Sequence, residues 1–329
     1  LAWPVVAVLA YGLSVVDVAL IVGPASPPTL AVLAWQALQD GDALRQGEGA
    51  AMALGTGAVL LVLLALGAAA VWAWTAWSRH AATTRQRPAL RSGTAAPWVF
   101  HLVLAVYAIV ALLLLMSSFT GVWTFPALLP QLFTSSAWQQ VGQSAGTVGT
   151  TAALAAAASL SALALALLWF EASPPAWDRW ALPVVLAPLV VPPLLLLVGL
   201  YTLALSMRLD GTPAGLWWVH TLVTLPYVFV ALAPAWRHFD QRYAHAALAL
   251  GRSYSAFWWR VKAPLLAAPL SAALAVGFAV SVAQYLPTQW LGAGRWPTVT
   301  TEAVTLASGG QRHTAAAFAV LQALLPVLG

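Results

Sequence analysis

The sequence has no cysteine and little charge, since acidic and basic residues together make up 7% of its 329 positions. The absence of cysteine excludes disulfides, thiol nucleophiles and cysteine-ligated metals. Lysine is almost absent as well, because Lys262 is the single one in the chain. Val261 precedes it, so the chain has no G-x-x-x-x-G-K-[ST] loop for nucleotide phosphates. We expect any ATP hydrolysis linked to this chain to take place on another subunit.

Apolar residues dominate the composition, with 61% of the chain hydrophobic. Soluble domains carry about 25% charged residues, so this composition is that of a membrane protein. The net charge of +5 would suggest nucleic acid for a soluble protein. Here the cations must first be placed relative to the bilayer, and we expect no nucleic-acid partner.

Eight segments approach the length and apolar character of a membrane helix, which needs about 20 residues. They are residues 1–22, 51–77, 98–118, 146–170, 181–206, 216–235, 266–288 and 313–329. Lipid cannot satisfy open sheet edges, so the predicted fold class is all-α, a polytopic membrane helix bundle. Prolines inside these segments are expected to bend the helices at Pro188, Pro192, Pro193 and Pro226.

The distribution of cations predicts the orientation in the membrane. If residues 236–265 are cytoplasmic and the sides alternate, ten cations face the cytoplasm and four face outward, as the positive-inside rule requires. The ten are Arg79, Arg85, Arg87, Arg91, Arg179, Arg237, Arg242, Arg252, Arg260 and Lys262; the four are Arg45, Arg208, Arg295 and Arg312. The same split supports the count of eight spans, because one missed helix would scramble the alternation.

Two distant segments are similar: SVVDVALIVGPASPPTL at 14–30 and SVAQYLPTQWLGAGRWPTV at 281–299. Three small residues match at a constant shift of 269, namely Gly23, Pro28 and Thr29 with Gly292, Pro297 and Thr298. An insertion of two residues upstream then aligns Ser14 with Ser281 and Asp17 with Gln284. Each segment runs through a polar stretch into a further apolar span, which indicates a long-range internal repeat.

The repeat divides the chain into three parts. Residues 1–78 are interpreted as the last two transmembrane helices of a first repeat, and 79–97 as a basic cytoplasmic linker. Residues 98–329 form a second repeat of six helices, the last one truncated. Two parallel repeats are therefore expected, with about four further spans of the first one upstream in the full protein.

The polar interruption at 244–264, AHAALALGRSYSAFWWRVKAP, carries a spaced pattern. From His245 it reads His-Ala-Ala, three residues, Gly251, nine residues, then Val-Lys-Ala-Pro at 261–264. This resembles the EAA loop of permeases in binding-protein-dependent ABC importers: Glu-Ala-Ala, three residues, Gly, nine residues, Ile-x-Leu-Pro. The matching residues are Ala246, Ala247, Gly251 and Pro264, with Val261 as a conservative replacement. His245 stands in place of the Glu and Ala263 in place of the Leu.

The wider chain is similar to double-length permeases of the iron(III) and thiamine type. The resemblance implies a type I ABC importer permease (MetI-like) fold, in a non-catalytic, multi-pass subunit of the bacterial inner membrane. It implies two partners besides membrane lipid: an ATP-binding subunit, expected to be a homodimer, and a periplasmic or lipid-anchored substrate-binding protein. ATP and Mg are used by the ATP-binding subunit, and no cofactor is expected on this chain.

The residues of the loop fit such a role physically. A short amphipathic helix can dock in a groove of a partner, where Ala246 and Ala247 permit close approach. Gly251 can take a left-handed turn that ends the helix. Phe257 can root the next segment, and Pro264 suits the first turn of the following span. The alternative is a basic loop that only binds anionic lipid headgroups.

Asp17 is an acid at membrane depth, which by default is a functional position. Together with Ser281, Gln284 and Tyr285 it is the candidate lining of a translocation pathway at the repeat interface. The structural alternative is an interhelical hydrogen bond or a wet position near the outer surface. Two other functions stay open: an ion-coupled secondary transporter that uses Asp17, and an integral membrane enzyme, for which clustered acids or histidines are missing from the sequence.

Overall fold

The computed structural model describes residues 8–9, 11–13, 15–23, 26–82, 95–121, 130 and 132–328. Within these ranges the protein is helical, and the one pairing of extended backbone is an isolated bridge between Thr120 and Phe133. The expected all-α fold is therefore confirmed. Residues 1–7, 10 and 14 of the first predicted span, residues 83–94 of the predicted linker and Gly329 lie outside the described residues.

Fifteen helices are named here, in the order of the described chain. They are α1 (Asp17–Val22), α2 (Leu30–Leu38), α3 (Ala43–Ala82), α4 (Ala95–Ser118), α5 (Ser136–Gln143), α6 (Ala145–Ala172), α7 (Asp178–Val190), α8 (Pro193–Ser206), α9 (Pro213–Arg237), α10 (Arg242–Ala249), α11 (Tyr254–Leu265), α12 (Ala267–Val282), α13 (Leu286–Leu291), α14 (Val299–Ser308) and α15 (Arg312–Leu328). Residues Trp258–Lys262 of α11 form a π-helical turn.

Four helices are long and apolar enough to cross a membrane: α3 as far as Trp77, α4, α6 and α9. They contain the predicted spans 51–77, 98–118, 146–170 and 216–235. Two bent helix pairs raise the number to six among the described residues, if each pair counts as one span. The predicted span 313–329 corresponds to α15, which has 17 residues.

The predicted span 181–206 is wrong as a single helix. α7 and α8 meet at a break and differ in direction by 106°. Pro192 and Pro193 follow each other there, and neither has an N–H to continue the hydrogen bonds of α7. Pro193 instead occupies the first turn of α8, where no donor is needed. The prolines thus mark the right place, but they break the helix instead of bending it.

The predicted spans 266–288 and 1–22 need similar corrections. α12 ends at Val282, and residues 284–285 are not helical before α13 begins at Leu286. At its other end α12 is bent by 71° from α11. In the first segment, residues 15–16 are not helical, and Asp17 begins a separate short helix, α1.

The centre of the bundle is formed by α6, α9 and α12, which pack against one another. Their contact faces carry small residues, including Ala158, Ala162 and Ala273. Gly277 of α12 is the tightest point, because an added Cβ would lie 2.7 Å from Val228 Cγ2 and 3.1 Å from Ser159 Cβ. In lipid, where there is no hydrophobic drive between helices, such close approach supplies the packing that holds a bundle together.

The two similar segments have the same order of elements. α1 and α13 are each six residues long and begin 269 positions apart. Thr29 and Thr298 then cap α2 and α14, each by accepting a hydrogen bond from a backbone N–H three residues later. α1 packs on α14, and Trp290 of α13 packs edge-on against Trp35 of α2, with ring centroids 5.5 Å apart. The assignment of 1–78 to an earlier repeat stays a prediction.

Candidate functional site

The loop 236–265 begins with a two-turn helix, α10, that ends in a Schellman motif. Gly251 has φ +71°, the left-handed region in which glycine is favoured. Its N–H donates to the carbonyl of Leu248 at 2.9 Å, and the N–H of Arg252 donates to the carbonyl of Ala247 at 3.0 Å. The sequence predicts that Gly251 ends a helix in this conformation, and the structure places it there.

One side of α10 is open. Ala244 is buried, whereas His245 and Ala246 are exposed and Ala247 is half-buried. Tyr243, Leu248 and Leu250 also expose large apolar side chains, with Leu250 80% exposed. A Cβ added at Gly251 would meet no atom of the described chain within 4 Å. Apolar groups on a polar loop are typical of a surface that another protein covers.

The segment after Gly251 returns to the bundle. Ser253 caps α11 by accepting a hydrogen bond from the N–H of Ala256, and Phe257 is buried beside Phe239, as its predicted rooting role requires. Val261 is half-buried on the same helix. Pro264 differs from expectation, because it lies in the last turn of α11, before the 71° bend. The following span begins at Ala267.

The first end of the loop is held by an ion pair between Arg237 and Asp178. Arg237 Nε and Nη2 each donate to one carboxylate oxygen at 2.7 Å, the bidentate geometry that makes such pairs strong. Arg237 Nη1 also donates to the carbonyl of Ser173 at 3.1 Å. Trp169 Nε1 donates to Asp178 at 3.0 Å. Arg237 thereby closes the carboxyl end of α6, where carbonyls lack helical partners.

The other end of the loop is held by Glu171 in the last turn of α6. Its Oε1 accepts from Lys262 Nζ at 2.7 Å and from Trp258 Nε1 at 2.6 Å. Its Oε2 accepts from the Tyr254 hydroxyl at 2.8 Å. Lys262 Nζ also lies 4.0 Å from the centroid of the Trp236 ring, a cation–π contact. All three donors belong to α11, so this one carboxylate fixes the returning segment.

The break between α12 and α13 is held by a buried histidine. His220 Nδ1 lies 2.9 Å from Ser281 Oγ, and Nε2 lies 2.9 Å from Thr288 Oγ1. Thr288 uses its own hydrogen to donate to the carbonyl of Gln284 at 2.7 Å. His220 therefore donates from Nε2, and Nδ1 accepts from Ser281. The histidine connects α9 to the two helices on either side of the break.

Gln284 is fixed in one orientation at this break. Its Nε2 donates to Thr224 Oγ1 at 3.2 Å and to the carbonyl of His220 at 3.4 Å. A carbonyl can only accept, so the amide nitrogen must face it. The Oε1 atom is buried and has no hydrogen-bond partner among the described residues. A buried acceptor without a partner costs free energy.

A cavity of about 260 Å³ brings Gln284 together with Asp17. Tyr285 and two further tyrosines, Tyr11 and Tyr227, also line it. Asp17 enters from α1, and the other side is the break between α12 and α13. Ser281 does not line the cavity, because it is buried against His220. Three of the four predicted pathway residues therefore share one cavity, and the fourth supports it from behind.

The helix boundaries bear on the repeat alignment. At the shift of 269 that relates α1 to α13, Asp17 falls opposite Leu286. The alignment of Asp17 with Gln284, which needs an insertion of two residues, stays a prediction. Both residues line the same cavity.

Sequence reasoning missed two parts of the site. His220 shows no ligand spacing to the other five histidines of the sequence, and its hydrogen-bond partners are 61 and 68 residues away. Glu171 and Lys262 are 91 residues apart. The available signals were that Lys262 is the single lysine and that Glu171 is an acid beside an apolar run of 24 residues without charge, 147–170.

A helix bundle with an exposed two-turn helix in a basic loop is the arrangement expected of an ABC importer permease. So is a cavity at a helix break in which a few polar residues interrupt an otherwise apolar lining. The comparisons with known proteins agree. The chain is 39% identical over 328 residues to the inner membrane ABC transporter permease protein YnjC of Escherichia coli. The matched region covers 100% of this chain and 59% of YnjC. No protein-family model matches the chain.

A shorter match reaches the molybdenum transport system permease protein ModB of Mycobacterium bovis and of Mycobacterium tuberculosis. Each is 30% identical over 115 residues, which cover 31% of this chain and 44% of that protein. The expected resemblance to ABC transporter permeases is confirmed, as is the multi-pass inner-membrane location. The chain spans 59% of the length of YnjC.

Proposed function

We propose that this chain forms part of the translocation pathway of an ABC importer and couples that pathway to a separate ATP-binding subunit. The observation that carries the proposal is α10, a helix closed by Gly251 at φ +71° with an open, partly apolar side. It lies where the sequence resembles the EAA loop. The relatives named as permeases support the same assignment.

On the cytoplasmic side, α10 docks on the ATP-binding subunit through Ala246, Ala247 and the exposed leucines. ATP and Mg are bound and used by that subunit. We expect the subunit to be a homodimer, because two repeats in one full-length chain offer two such loops to two identical grooves. Nucleotide-driven closure of the dimer then moves the loop, and the loop moves the bundle.

On the membrane side, the cavity between α1 and the break at 284–285 is the proposed pathway. Asp17 and Gln284 both line its wall. A pathway at the interface of two repeats is the usual arrangement in transporters built from repeats. Substrate arrives from a periplasmic or lipid-anchored binding protein. An ion-coupled carrier that uses Asp17 would transport without the ATP-binding subunit, which separates the two functions.

The test uses the full-length chain purified with its ATP-binding subunit and reconstituted in vesicles. In Gly251→Val, a β-branched side chain at positive φ costs about 1–2 kcal/mol and holds the partner surface away. Ala247→Asp places an unpaired charge in the contact. Arg252→Lys is the matched control, because it keeps the charge of an exposed side chain. The measurements are the amount of ATP-binding subunit retained, ATP hydrolysis and uptake.

Both disruptive variants should lose the ATP-binding subunit or hydrolyse ATP without transport, while the control behaves as the parent protein. Full retention and coupled uptake in both Gly251→Val and Ala247→Asp would mean that the loop is not the coupling element. The loop would then be interpreted as a basic segment that binds anionic lipid headgroups.

A further inference from the structure

Both ends of the loop 236–265 are tied to one short stretch of chain, residues 171–178. Asp178 holds Arg237 where the loop leaves α9, and Glu171 holds Lys262 where the loop returns. The exposed helix α10 projects between these two points. The loop is thus not a free connection, because whatever moves α10 also pulls on the cytoplasmic end of α6.

Glu171 has an unfavourable position for a carboxylate that serves only its own helix. It lies in the last turn of α6, where the negative end of the helix dipole repels it. A favourable interaction with its own helix therefore does not account for a carboxylate at this position. It accepts from three donors, Tyr254, Trp258 and Lys262, all on α11. Its contacts thus serve the connection between two elements that are distant in sequence.

Lys262 is equally committed to this contact. Its side chain is 5% exposed, which is rare for lysine unless it is paired. A long, flexible cation would normally extend to water or to lipid headgroups. Here it lies between the Glu171 carboxylate and the Trp236 ring. Arg260, two residues earlier, is exposed and forms no ion pair within the described part of the chain.

We propose that Glu171 and Lys262 are positioning residues for energy coupling, a pair that makes α6 and the root of the loop move as one body. This rests on the proposed function of α10 as the contact with the ATP-binding subunit. Displacement of α10 passes through the pair to α6. α6 packs on α12 at Ser159 and Gly277, and α12 leads directly to Gln284 on the cavity.

Because the Arg237–Asp178 ion pair is separate from the Glu171–Lys262 pair, the latter can be removed without loss of the fold. In Lys262→Met and Glu171→Gln the Arg237–Asp178 pair still holds the other end of the loop. We expect normal assembly with the ATP-binding subunit, but a fall in substrate transported per ATP of about fivefold or more, the lower range of coupling between sites. Arg260→Gln removes a cation from the same turn and should transport as the parent protein does.

A covalent replacement gives the decisive measurement, because the chain has no cysteine of its own. Glu171→Cys with Lys262→Cys should be uncoupled in the reduced state. Joining the two thiols with a short bifunctional reagent should restore transport per ATP, since two parts of one rigid body tolerate a permanent link. Each single cysteine variant treated with the same reagent is the control.

The results distinguish failure of this inference from failure of the proposed function. Normal coupling in Lys262→Met and Glu171→Gln at full assembly would overturn the pair as a positioning device. Transport that stays lost after bridging, while the single-cysteine controls are unaffected by the reagent, would overturn it also, since the two parts must then move relative to each other. If Gly251→Val and Ala247→Asp are also without effect, the failure belongs to the proposed function of the loop. If those two uncouple and the pair does not, it belongs to this inference alone.

Discussion

The loop 236–265 and the break at 283–286 are both interruptions of the helical bundle, but they are built in opposite ways. The loop exposes Leu248 and Leu250 and leaves open space at Gly251. The break is buried, and its polar atoms are used up by His220, Ser281 and Thr288. Gln284 Oε1 is the one buried side-chain polar atom without a hydrogen-bond partner among the described residues.

Under the proposed function, the difference separates the surface that a partner protein recognises from the surface that a transported molecule meets. A docking surface must be shaped in advance yet remain uncovered, so its order comes from backbone bonds such as the Schellman motif of α10. A pathway in lipid cannot leave many polar atoms unpaired, because each costs free energy without water. Such a pathway therefore has only a few polar side chains on its cavity.

The largest effect is expected in α12, the helix that joins the loop to the break. Gly277→Leu should destabilise the bundle by more than about 3 kcal/mol, beyond the usual cost of overpacking, because even a Cβ there meets Val228 at 2.7 Å. The measurement is the amount of folded, detergent-extracted protein. Gly199→Leu is the matched control, since its added Cβ meets no described atom within 4 Å. Equal yields of the two variants would contradict the packing described for α6, α9 and α12.

The break should be sensitive to loss of its histidine. His220→Leu removes the acceptor for Ser281 and the donor for Thr288, at a cost of about 1–3 kcal/mol for the groups left unpaired. A lower thermal unfolding temperature of the purified protein is the expected result. His220→Gln, which can still donate and accept, should lose less. If the leucine variant is the more stable of the two, the hydrogen-bond assignment at the break is wrong.

The loop should instead respond to backbone conformation. Gly251→Asn should retain coupled transport, because asparagine tolerates the left-handed region, whereas Gly251→Val should not. The expected difference in stability is about 1–2 kcal/mol and local to the loop. ATP hydrolysis and uptake of the two variants give the comparison. Uncoupling by asparagine as severe as that by valine would show that bulk, and not φ, decides.

The cavity should change transport with little change in stability. Asp17→Asn removes a carboxylate and Gln284→Ala removes an amide, at two residues that line it. We expect lower uptake at normal abundance of the complex, with a loss of about tenfold for roughly each 1.4 kcal/mol of lost interaction with the substrate. Uptake rates in vesicles provide the test. Unchanged uptake in both variants would assign these two residues to packing or to the wet interface.

The smallest perturbation tests only the sidedness of the two regions. Single cysteines in Arg252→Cys, Asp42→Cys and Arg295→Cys should leave transport nearly unchanged. An impermeant thiol reagent added outside should label the positions 42 and 295, and should label 252 only after the membrane is opened. Labelling of position 252 in sealed cells would reverse the orientation that the cations predict.

Sequence periodicity and composition suffice for the spans that run unbroken through one helix. The spans 51–77, 98–118, 146–170 and 216–235 are found within helices of the structure because their apolar runs are uninterrupted. The breaks at 191–193 and 283–286 were not predicted as breaks. Hydropathy does not register them, since the residues on both sides are apolar and the decisive terms are missing N–H groups and long-range hydrogen bonds.

The loop was more predictable than the cavity, because its shape depends on local interactions and the cavity depends on long-range ones. The shape of α10 depends on local terms, above all the φ of Gly251, and these can be read from spacing. The cavity depends on α1, α9 and α12 meeting, and His220 finds its partners only in the folded bundle. The repeat alignment paired Asp17 with Gln284, and both residues line one cavity, but their role in a pathway stays a prediction.

The burial of Lys262 also gives the protein a built-in chemical reporter. It carries the one side-chain amine of these 329 residues, and the Glu171 contact shields it while the pair is closed. An amine-reactive ester should modify it slowly at rest and faster in any step that opens the pair. Because the proposed rigid body keeps the pair closed throughout turnover, peptide mass spectrometry should find the same slow modification of this lysine at rest and during turnover, with no probe introduced and no residue exchanged.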